Sequence, residues 1–191
     1  MSHIPVLLEE SIDFLRIIPG GNYFDGTYGE GGHSNAILKN LNKEGRLFAT
    51  DLDLGAIEIA KKNMVDNRFS IFHSSFSNIK HLDIPHLDGA IFDFGMSSNQ
   101  LDDPSRGFSF KNNGPIDMRM NTESDANLKK WINNASENEI EDVIRQFGEE
   151  SNAKKISKKI IEVRQNKSIN DTHDLAAVSY THLRAHETTC D

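Results

Sequence analysis

Four glycines lie within one short segment of the chain, between an apolar stretch and a helical pattern. The segment runs from Asp25 to Ser34 and reads Asp-Gly-Thr-Tyr-Gly-Glu-Gly-Gly-His-Ser. Glycines let the main chain turn tightly and let a ligand approach it. A following helix presents free N–H groups and the positive end of its dipole. The segment therefore predicts a site for a pyrophosphate or for the amino-acid part of a nucleoside cofactor, with a turn that binds nothing as the plainer alternative.

The glycine pattern alone does not choose between cofactors. The dinucleotide motif G-x-G-x-x-G is incomplete, because Ser34 stands where the last glycine would be. Asp51 ends the second apolar stretch, 20 residues beyond Gly31, where an acid can accept both ribose hydroxyls of NAD or of another adenosine cofactor. Its alternative role is to cap the next helix, although Asp53 is the better cap. Together the two signals predict a nucleotide-type cofactor.

Two further side chains follow the third and fourth apolar stretches. Phe76 is placed to cover one face of an adenine, or else to pack in the core. Asp93 ends the fourth of these stretches, and the polar loop at 95–122 that follows is long enough to be functional. Ligands bind outside the carboxyl ends of parallel strands, where the strand order reverses. A carboxylate there can touch both a cofactor and an incoming amine, so Asp93 is the candidate catalytic residue, with loop capping as the alternative.

Strand and helix patterns alternate up to about residue 118 and position these side chains. Short apolar runs predict strands at 22–25, 46–50, 69–72 and 89–92. Helical spacing predicts helices at 8–15, 34–40 and 54–63. This alternation predicts an α/β fold with a parallel sheet in the order 3-2-1-4 and right-handed crossovers. The third and fourth strands are nearly all apolar, which predicts cover on both faces.

Only helical patterns follow the long loop. One stripe comprises Leu128, Trp131, Ile132 and Ala135. Ser136 and Glu139 form a capping box for a second stripe of Ile140, Val143, Ile144 and Phe147, with Gly148 as C-cap. The third helix turns Ile156, Ile160 and Val163 inward and its lysines outward. A helical subdomain is therefore predicted after the α/β half.

Composition excludes several classes of protein. The chain has 191 residues, 37% hydrophobic and 26% charged, which is typical of a folded protein. It contains no apolar run long enough to span a membrane and no secretory signal at its start. The single cysteine, Cys190, excludes a disulfide framework and a cysteine-based zinc site. His182 and His186 have no acidic or cysteine partners, so no metal site is expected. These features predict a cytoplasmic protein.

Charge is unevenly distributed. The net charge of −8 argues against binding to nucleic acid by bulk charge alone. Between Lys154 and Lys167, however, six residues are basic and one, Glu162, is acidic. Lys158 and Lys159 lie within this run. The run predicts either a face that contacts phosphates or a solvated helix face.

Several blocks of the chain resemble the RsmH (MraW) family. The resemblance extends over about residues 3–177 and includes 3–10, 25–34, 93–102, 106–110, 114–120 and 147–150. The block at 93–120 is very specific. Asn99 stands where the family usually has proline, and Asn113 where it often has aspartate.

The resemblance implies function and site residues together. It implies an S-adenosylmethionine-dependent enzyme that methylates N4 of a cytidine in small-subunit ribosomal RNA. The implied cofactor-binding residues are Gly31, Gly32, His33, Asp51, Phe76, Asp93 and Gln100. Asp93 would either touch the cofactor or hold the amine. The loop side chains Arg106, Phe108, Phe110 and Arg119 would stack on bases or contact phosphates, unless they pack between domains; Lys158 and Lys159 are the candidate phosphate contacts on the helix.

The resemblance also implies a domain organisation. Residues 1–104 would form a Rossmann-like methyltransferase half, and 105–177 a loop and a helical insertion. The family's sheet continues after the insertion, but no strand pattern follows Asp93 here. We therefore expect a C-terminally truncated chain with strand four as an uncovered edge, a liability for folding. Residues 178–191 resemble translated sequencing-adapter read-through and are expected to be a non-native tail.

Two other functions remain open from the residues alone. An NAD-dependent oxidoreductase shares the glycine segment and Asp51 but lacks an evident acid–base partner for hydride transfer. A non-catalytic RNA-binding module would bind RNA without a cofactor. The oligomeric state is not encoded in any pattern of the sequence.

Overall fold

Two units make up the chain in the computed structural model, which describes residues 5–180. The sheet unit comprises the residues up to Ser98 together with Met120–Glu123. The helical unit comprises Asn99–Arg119 and the residues from Ser124 onward. The boundary predicted after residue 104 thus falls inside the first segment of the helical unit.

The sheet unit is built on four parallel strands. They are β1 (Asn22–Asp25), β2 (Arg46–Asp51), β3 (Phe69–His73) and β4 (Gly89–Ile91). The order β3-β2-β1-β4 is the predicted one. β1 pairs with β2 from Asn22 opposite Arg46 and with β4 from Tyr23 opposite Gly89. The carboxyl ends of β1 and β4 are therefore neighbours, so the loops after them meet.

Three α-helices accompany the sheet. They are α1 (Leu8–Leu15), α2 (Gly32–Asn40) and α3 (Leu54–Asn63), and a 3₁₀ turn covers Phe76–His81. Tyr23 and Leu47 are buried with Ile37 and Leu38 of α2 in one core. Asp53, not Asp51, caps α3 by accepting the Gly55 N–H at 2.8 Å. Asp53 therefore has the helix-capping role that was the alternative for Asp51.

The prediction that strands three and four are covered on both faces was wrong. Every residue of β3 and β4 is at least partly exposed, whereas β1 has three buried residues. The reason is position: among residues 5–180, β3 and β4 each have a single strand neighbour. The apolar composition of an edge strand therefore does not show that its faces are buried.

The helical unit has its own core. Its helices are α4 (Ser98–Asp102), α5 (Leu128–Asn134), α6 (Glu137–Gly148), α7 (Ala153–Asn166) and α8 (Thr172–Tyr180). α4 begins at the last residue of the sheet unit's first segment, and a 3₁₀ turn follows at Pro104–Arg106. The core joins Ile116, Ile132, Ile140, Ile160, Ile169 and Val178.

Two details of this unit differ from the sequence prediction. α6 includes Gly148 as its last residue, and Glu149 is the left-handed cap, with φ of 51°. Phe147 was assigned to the buried stripe but is 82% exposed. The predicted capping box of Ser136 and Glu139 is confirmed. Val178, where the tail was predicted to begin, is buried within α8, and residues 181–191, with His182, His186 and Cys190, lie outside the described residues.

Candidate cofactor site

The loop between β1 and α2, Gly26–Gly31, is hydrogen-bonded to the strands on both sides of β1. The Gly26 N–H donates to the Ile91 carbonyl at 2.9 Å, and the Tyr28 N–H to the Thr50 carbonyl at 3.1 Å. The Gly31 N–H closes the turn on the Tyr28 carbonyl at 2.7 Å. This loop, called the glycine loop below, is therefore fixed by hydrogen bonds to the neighbouring strands.

Asp51 holds the same loop through its side chain. One carboxylate oxygen accepts the Gly29 N–H at 2.8 Å, and the other accepts the Asp53 N–H at 2.8 Å. A carboxylate has about four acceptor positions. Two therefore remain for a ligand at the end of β2, and Asp51 both shapes the loop and keeps capacity for hydroxyl donors.

Glycine is required at two positions by conformation or by space. Gly31 has a φ of 78°, and a Cβ there would collide with the ring of Tyr28. At Gly32 a Cβ would collide with the ring of Pro5. Pro5 thus lies against the first turn of α2.

Asp25 anchors the loop from below. It is 2% exposed, accepts the Ser34 hydroxyl at 2.6 Å and accepts the Thr27 N–H at 3.1 Å. Burial raises its pKa above the usual value, against the lowering effect of those hydrogen bonds. The pair Asp25–Ser34 ties the end of β1 to the first turn of α2.

Asp93 is held beside the glycine loop by its backbone. Its N–H donates to the Thr27 hydroxyl at 2.6 Å. Its carboxylate is 58% exposed and lies 3.9 Å from Nδ1 of His33. The side chain is therefore open to a ligand, while its main chain is fixed to the loop that the ligand would touch.

Two buried polar atoms of the glycine segment have no protein partner. Within residues 5–180, neither Nε2 of His33 nor Oε1 of Glu30 has a hydrogen-bond partner. Buried polar groups normally have one, and an exception needs an explanation. Unmet donors and acceptors beside Asp51 and Asp93 fit a polar cofactor at this place.

Phe76 belongs to an aromatic cluster. Its ring meets the rings of Phe92 and Phe94 at centroid distances of 5.4 and 5.7 Å. Phe92 and Phe94 stack at 6.0 Å with an interplanar angle of 17°, and Phe94 is 73% exposed. The three rings form an apolar surface at the carboxyl ends of β3 and β4, where a planar base could pack.

The remaining predicted residues belong to the helical unit. Gln100 is buried in α4. The Arg106 guanidinium lies 5.7 Å from the Phe108 ring centroid and donates to the Arg119 carbonyl at 2.8 Å. Arg119 makes a two-pronged ion pair with Asp117 and donates to the Ser124 carbonyl. These arginines organise the loop, so any phosphate contact would be made with the donors that are left.

The basic run divides into two groups. Arg164 donates to the Ile132 and Ala135 carbonyls, Lys167 pairs with Asp174 at 2.7 Å, and Lys159 pairs with Glu162 at 3.1 Å. Lys158 is exposed and has no ion-pair partner within the described part of the chain. Of the two lysines singled out, Lys158 is the freer. Lys159 also lines a groove of about 400 Å³ between α7 and α8.

Three residues of the site were not predicted from the sequence. Thr27 bridges two loops, and Phe92 and Phe94 form the aromatic surface. The sequence does show a hydroxyl two residues after Asp25 and an aromatic residue on each side of Asp93. These patterns do not predict the contacts, because the partners Asp93 and Phe76 lie far away in the sequence. Across residues 5–180 there is no cluster of three metal-binding side chains and no helix that could cross a membrane.

Comparison with known proteins assigns the chain to a family. A model of the MraW methylase family matches residues 1–189. The chain belongs to the MraW methylase family. The resemblance found in the sequence is thereby confirmed, and the α/β sheet followed by helices is the fold expected of it.

The curated relatives carry one description. Ribosomal RNA small subunit methyltransferase H of Legionella pneumophila strain Corby is 47% identical over 92% of this chain and 59% of its own length. The proteins of the same description from Pseudoalteromonas atlantica and Nitrosomonas eutropha are 46% and 44% identical. They are matched over 93% and 92% of this chain and over 58% and 56% of their own lengths. The chain thus spans less than two thirds of these MraW relatives.

Proposed function

We propose that this protein transfers a methyl group from S-adenosylmethionine to N4 of a cytidine in small-subunit ribosomal RNA in the cytoplasm. The observation that carries the proposal is the juxtaposition of the glycine loop with Asp51 and with the exposed carboxylate of Asp93. Membership of the MraW methylase family and the description of the relatives support the reaction class and the RNA.

The residues around the glycine loop suit this cofactor. Asp51 has acceptor capacity for ribose hydroxyls, and the Phe76 cluster offers a surface for adenine. His33 and Glu30 present buried polar atoms beside the loop, as a ligand with an amino and a carboxyl group requires. Gly31 and Gly32 stay in the proposed set, but a Cβ at either position would meet Tyr28 or Pro5, so they would act by shaping the loop.

The loop is poorly arranged for a pyrophosphate, which disfavours the NAD alternative. The N–H groups of Gly26, Thr27, Tyr28, Gly29 and Gly31 all donate within the protein. Pro5 lies against the Cα of Gly32 at the start of α2 and narrows the approach to the first turn of that helix, where a phosphate would bind free N–H groups. A cofactor with one ribose and a charged amino-acid end needs fewer hydrogen bonds from these N–H groups than a pyrophosphate does.

Asp93 would act on the amine of the cytosine. When bound, S-adenosylmethionine supplies an activated methyl on a positively charged sulfur. The exocyclic amine is a weak nucleophile, so alignment and exclusion of water carry most of the catalysis. The exposed Asp93 carboxylate can accept a hydrogen bond from the amine, stabilise positive charge as it develops on nitrogen and take the proton that the nitrogen gives up when it gains the methyl group. The Thr27 hydroxyl fixes its main chain during this step.

Target recognition falls to the helical unit. A base paired in RNA cannot reach a buried methyl donor and has to be unstacked. Phe108 and Arg106 form a cation–aromatic pair in the 95–122 loop, and Lys158 has no ion-pair partner among residues 5–180. These groups suit contacts to a single-stranded segment of ribosomal RNA.

Calorimetric titration with S-adenosylhomocysteine and, separately, with NAD tests the cofactor. We expect S-adenosylhomocysteine alone to bind, and Asp51→Asn to weaken binding roughly tenfold, because a hydrogen bond to a charged acceptor is replaced by a neutral one. The matched control is Asp88→Asn, a carboxylate at the opposite end of the sheet that accepts the Asn22 N–H. Binding of NAD, or of neither ligand by a folded chain, would contradict the proposal.

The methyl acceptor is tested on ribosomal RNA. Small-subunit RNA is incubated with the protein and labelled S-adenosylmethionine, digested to nucleosides and analysed by mass spectrometry. We expect label in N4-methylcytidine, and its loss in Asp93→Ala. Label in another nucleoside would overturn the assignment of the target atom while leaving the cofactor assignment standing.

A further inference from the structure

The corner between α6 and α7 exposes an aromatic ring. Phe147, in the last turn of α6, is 82% exposed, while Ile140 of the same helix is 1% exposed. The Glu150 N–H reaches the Ile144 carbonyl at 3.4 Å, and the Glu150 carboxylate accepts the Asn152 N–H at 2.7 Å. The ring is therefore held out from a well-ordered turn.

Unpaired lysines begin the helix that follows this ring. Lys154, Lys155 and Lys158 are exposed and fall on one side of α7, at 3.6 residues per turn. Within residues 5–180 none has an ion-pair partner, in contrast to Lys159 and Lys167.

The lysines in the first turn of α7 do not stabilise the helix. Cations are unfavourable at a helix N-terminus, because the dipole is positive there. α7 begins at Ala153, so two lysines occupy its first turn. A bound anion would offset this repulsion, and the exposed Phe147, which lies six residues before the start of α7 in the chain, offers an apolar face to the same ligand.

We propose that the α6–α7 corner, made of Phe147, Lys154, Lys155 and Lys158, binds single-stranded RNA by stacking one unpaired base on Phe147. The lysines contact the phosphates next to that base. Aromatic stacking with nearby basic side chains is the usual way in which proteins hold unpaired bases. Glu149 is also exposed at this corner and its charge repels phosphate, so the phosphates are assigned to the lysines of α7. The inference rests on the proposed RNA substrate and adds a binding surface to it.

Fluorescence anisotropy with an unstructured oligonucleotide of about ten nucleotides tests the corner over a series of salt concentrations. We expect Phe147→Ala to weaken binding about tenfold without changing the salt slope, because stacking releases no counterions. Phe147→Trp retains affinity. Replacing Lys154, Lys155 and Lys158 by Gln lowers both affinity and salt slope. The control is Phe14→Ala, which removes a ring that is 87% exposed on α1, and it leaves binding unchanged.

Three results would overturn the inference. One is equal affinity of Phe147→Ala and the unsubstituted chain. Another is a Phe147→Ala chain that loses self-association in sedimentation, which would make the corner an interface between two copies. The third is a lowered unfolding midpoint of Phe147→Ala, which would make the ring a packing residue. Titration with S-adenosylhomocysteine is an independent test. If the unsubstituted chain binds S-adenosylhomocysteine and Phe147→Ala leaves RNA affinity unchanged, only the RNA-binding corner is refuted. If Phe147→Ala weakens RNA binding but the unsubstituted chain does not bind S-adenosylhomocysteine, only the cofactor assignment is refuted.

Discussion

Asp25 is a carboxylate with two hydrogen-bond partners in the protein and almost no exposure to water. Burial raises its pKa above the ordinary value of 3.8. The folded state therefore binds this proton more tightly than the unfolded state does. Between the ordinary and the raised pKa, the unfolded chain loses the proton first, so stability contributed at this position falls as pH rises through that window.

Asp25→Asn should remove this pH dependence. The amide keeps an oxygen for the Thr27 N–H and can donate to the Ser34 hydroxyl, without a buried charge. The free energy of unfolding of the unsubstituted protein, minus that of Asp25→Asn, is expected to be larger at acid pH than at neutral pH. Urea unfolding of both proteins across this range measures the difference. Parallel pH profiles would show that Asp25 titrates alike in the folded and unfolded states.

Thr27→Val should weaken cofactor binding with little effect on stability. Valine keeps the shape but offers no acceptor to the Asp93 N–H, and water can replace it at this exposed backbone. Loss of one hydrogen bond predicts roughly two- to tenfold weaker binding of S-adenosylhomocysteine by calorimetry. Thr27→Ser keeps the hydroxyl and should bind normally. Equal loss in both variants would assign the effect to packing of the methyl group.

The site residues predicted from the sequence are those with a local signal. Gly31 and Asp51 follow from spacing around strands, and Phe76 from its place after β3. Thr27 escaped because its partner, Asp93, is distant in sequence, and no periodicity records such a bond. Phe147 was misplaced because helical spacing groups it with Ile140, while the helix ends too soon for its outermost turn to be covered.

At the scale of elements, the glycine loop depends on one backbone conformation. Gly31→Ala places a side chain at positive φ, which costs roughly 1–2 kcal/mol, and displaces Tyr28, which costs more. We expect a lower free energy of unfolding and impaired cofactor binding. Gly148→Ala is the contrasting variant: a Cβ there meets nothing within 4 Å, and alanine in a helix is favoured by about 0.5–1 kcal/mol. Urea unfolding should move in opposite directions for the two variants, and a shift in the same direction would contradict the assigned conformations.

The elements themselves were well predicted where periodicity is strong. β1 and α3 have the predicted bounds, and α2 begins two residues earlier than expected, at Gly32. The cover of β3 and β4 could not be predicted, because an apolar run has the same appearance at an edge as in the middle of a sheet. α8 was missed, since its helical residues were assigned in part to a tail.

At the scale of the whole molecule, each unit has a separate core and a separate reporter. The single tryptophan, Trp131, packs against the core of the helical unit, and cofactor binding reports on the sheet unit. Ile140→Ala should lower the unfolding free energy seen by Trp131 fluorescence by about 2–5 kcal/mol and leave affinity for S-adenosylhomocysteine unchanged. Leu47→Ala, in the sheet core, should weaken cofactor binding and leave the fluorescence transition in place. Both variants shifting both signals would indicate a single cooperative unit.

The strand order has a consequence for how the protein is made. β1 lies between β2 and β4 in the sheet but leaves the ribosome before both. Gly89 follows Asp25 by 64 residues, which at about 5–20 residues per second is several seconds of translation. During that interval one hydrogen-bonding edge of the Tyr23–Phe24 segment has no strand to pair with. β1 is thus the first of the four strands to be synthesised, and it gains its second neighbour only when β4 is made. The nascent chain is most open to chaperones or to mispairing in the time it takes to synthesise α2, β2, α3 and β3.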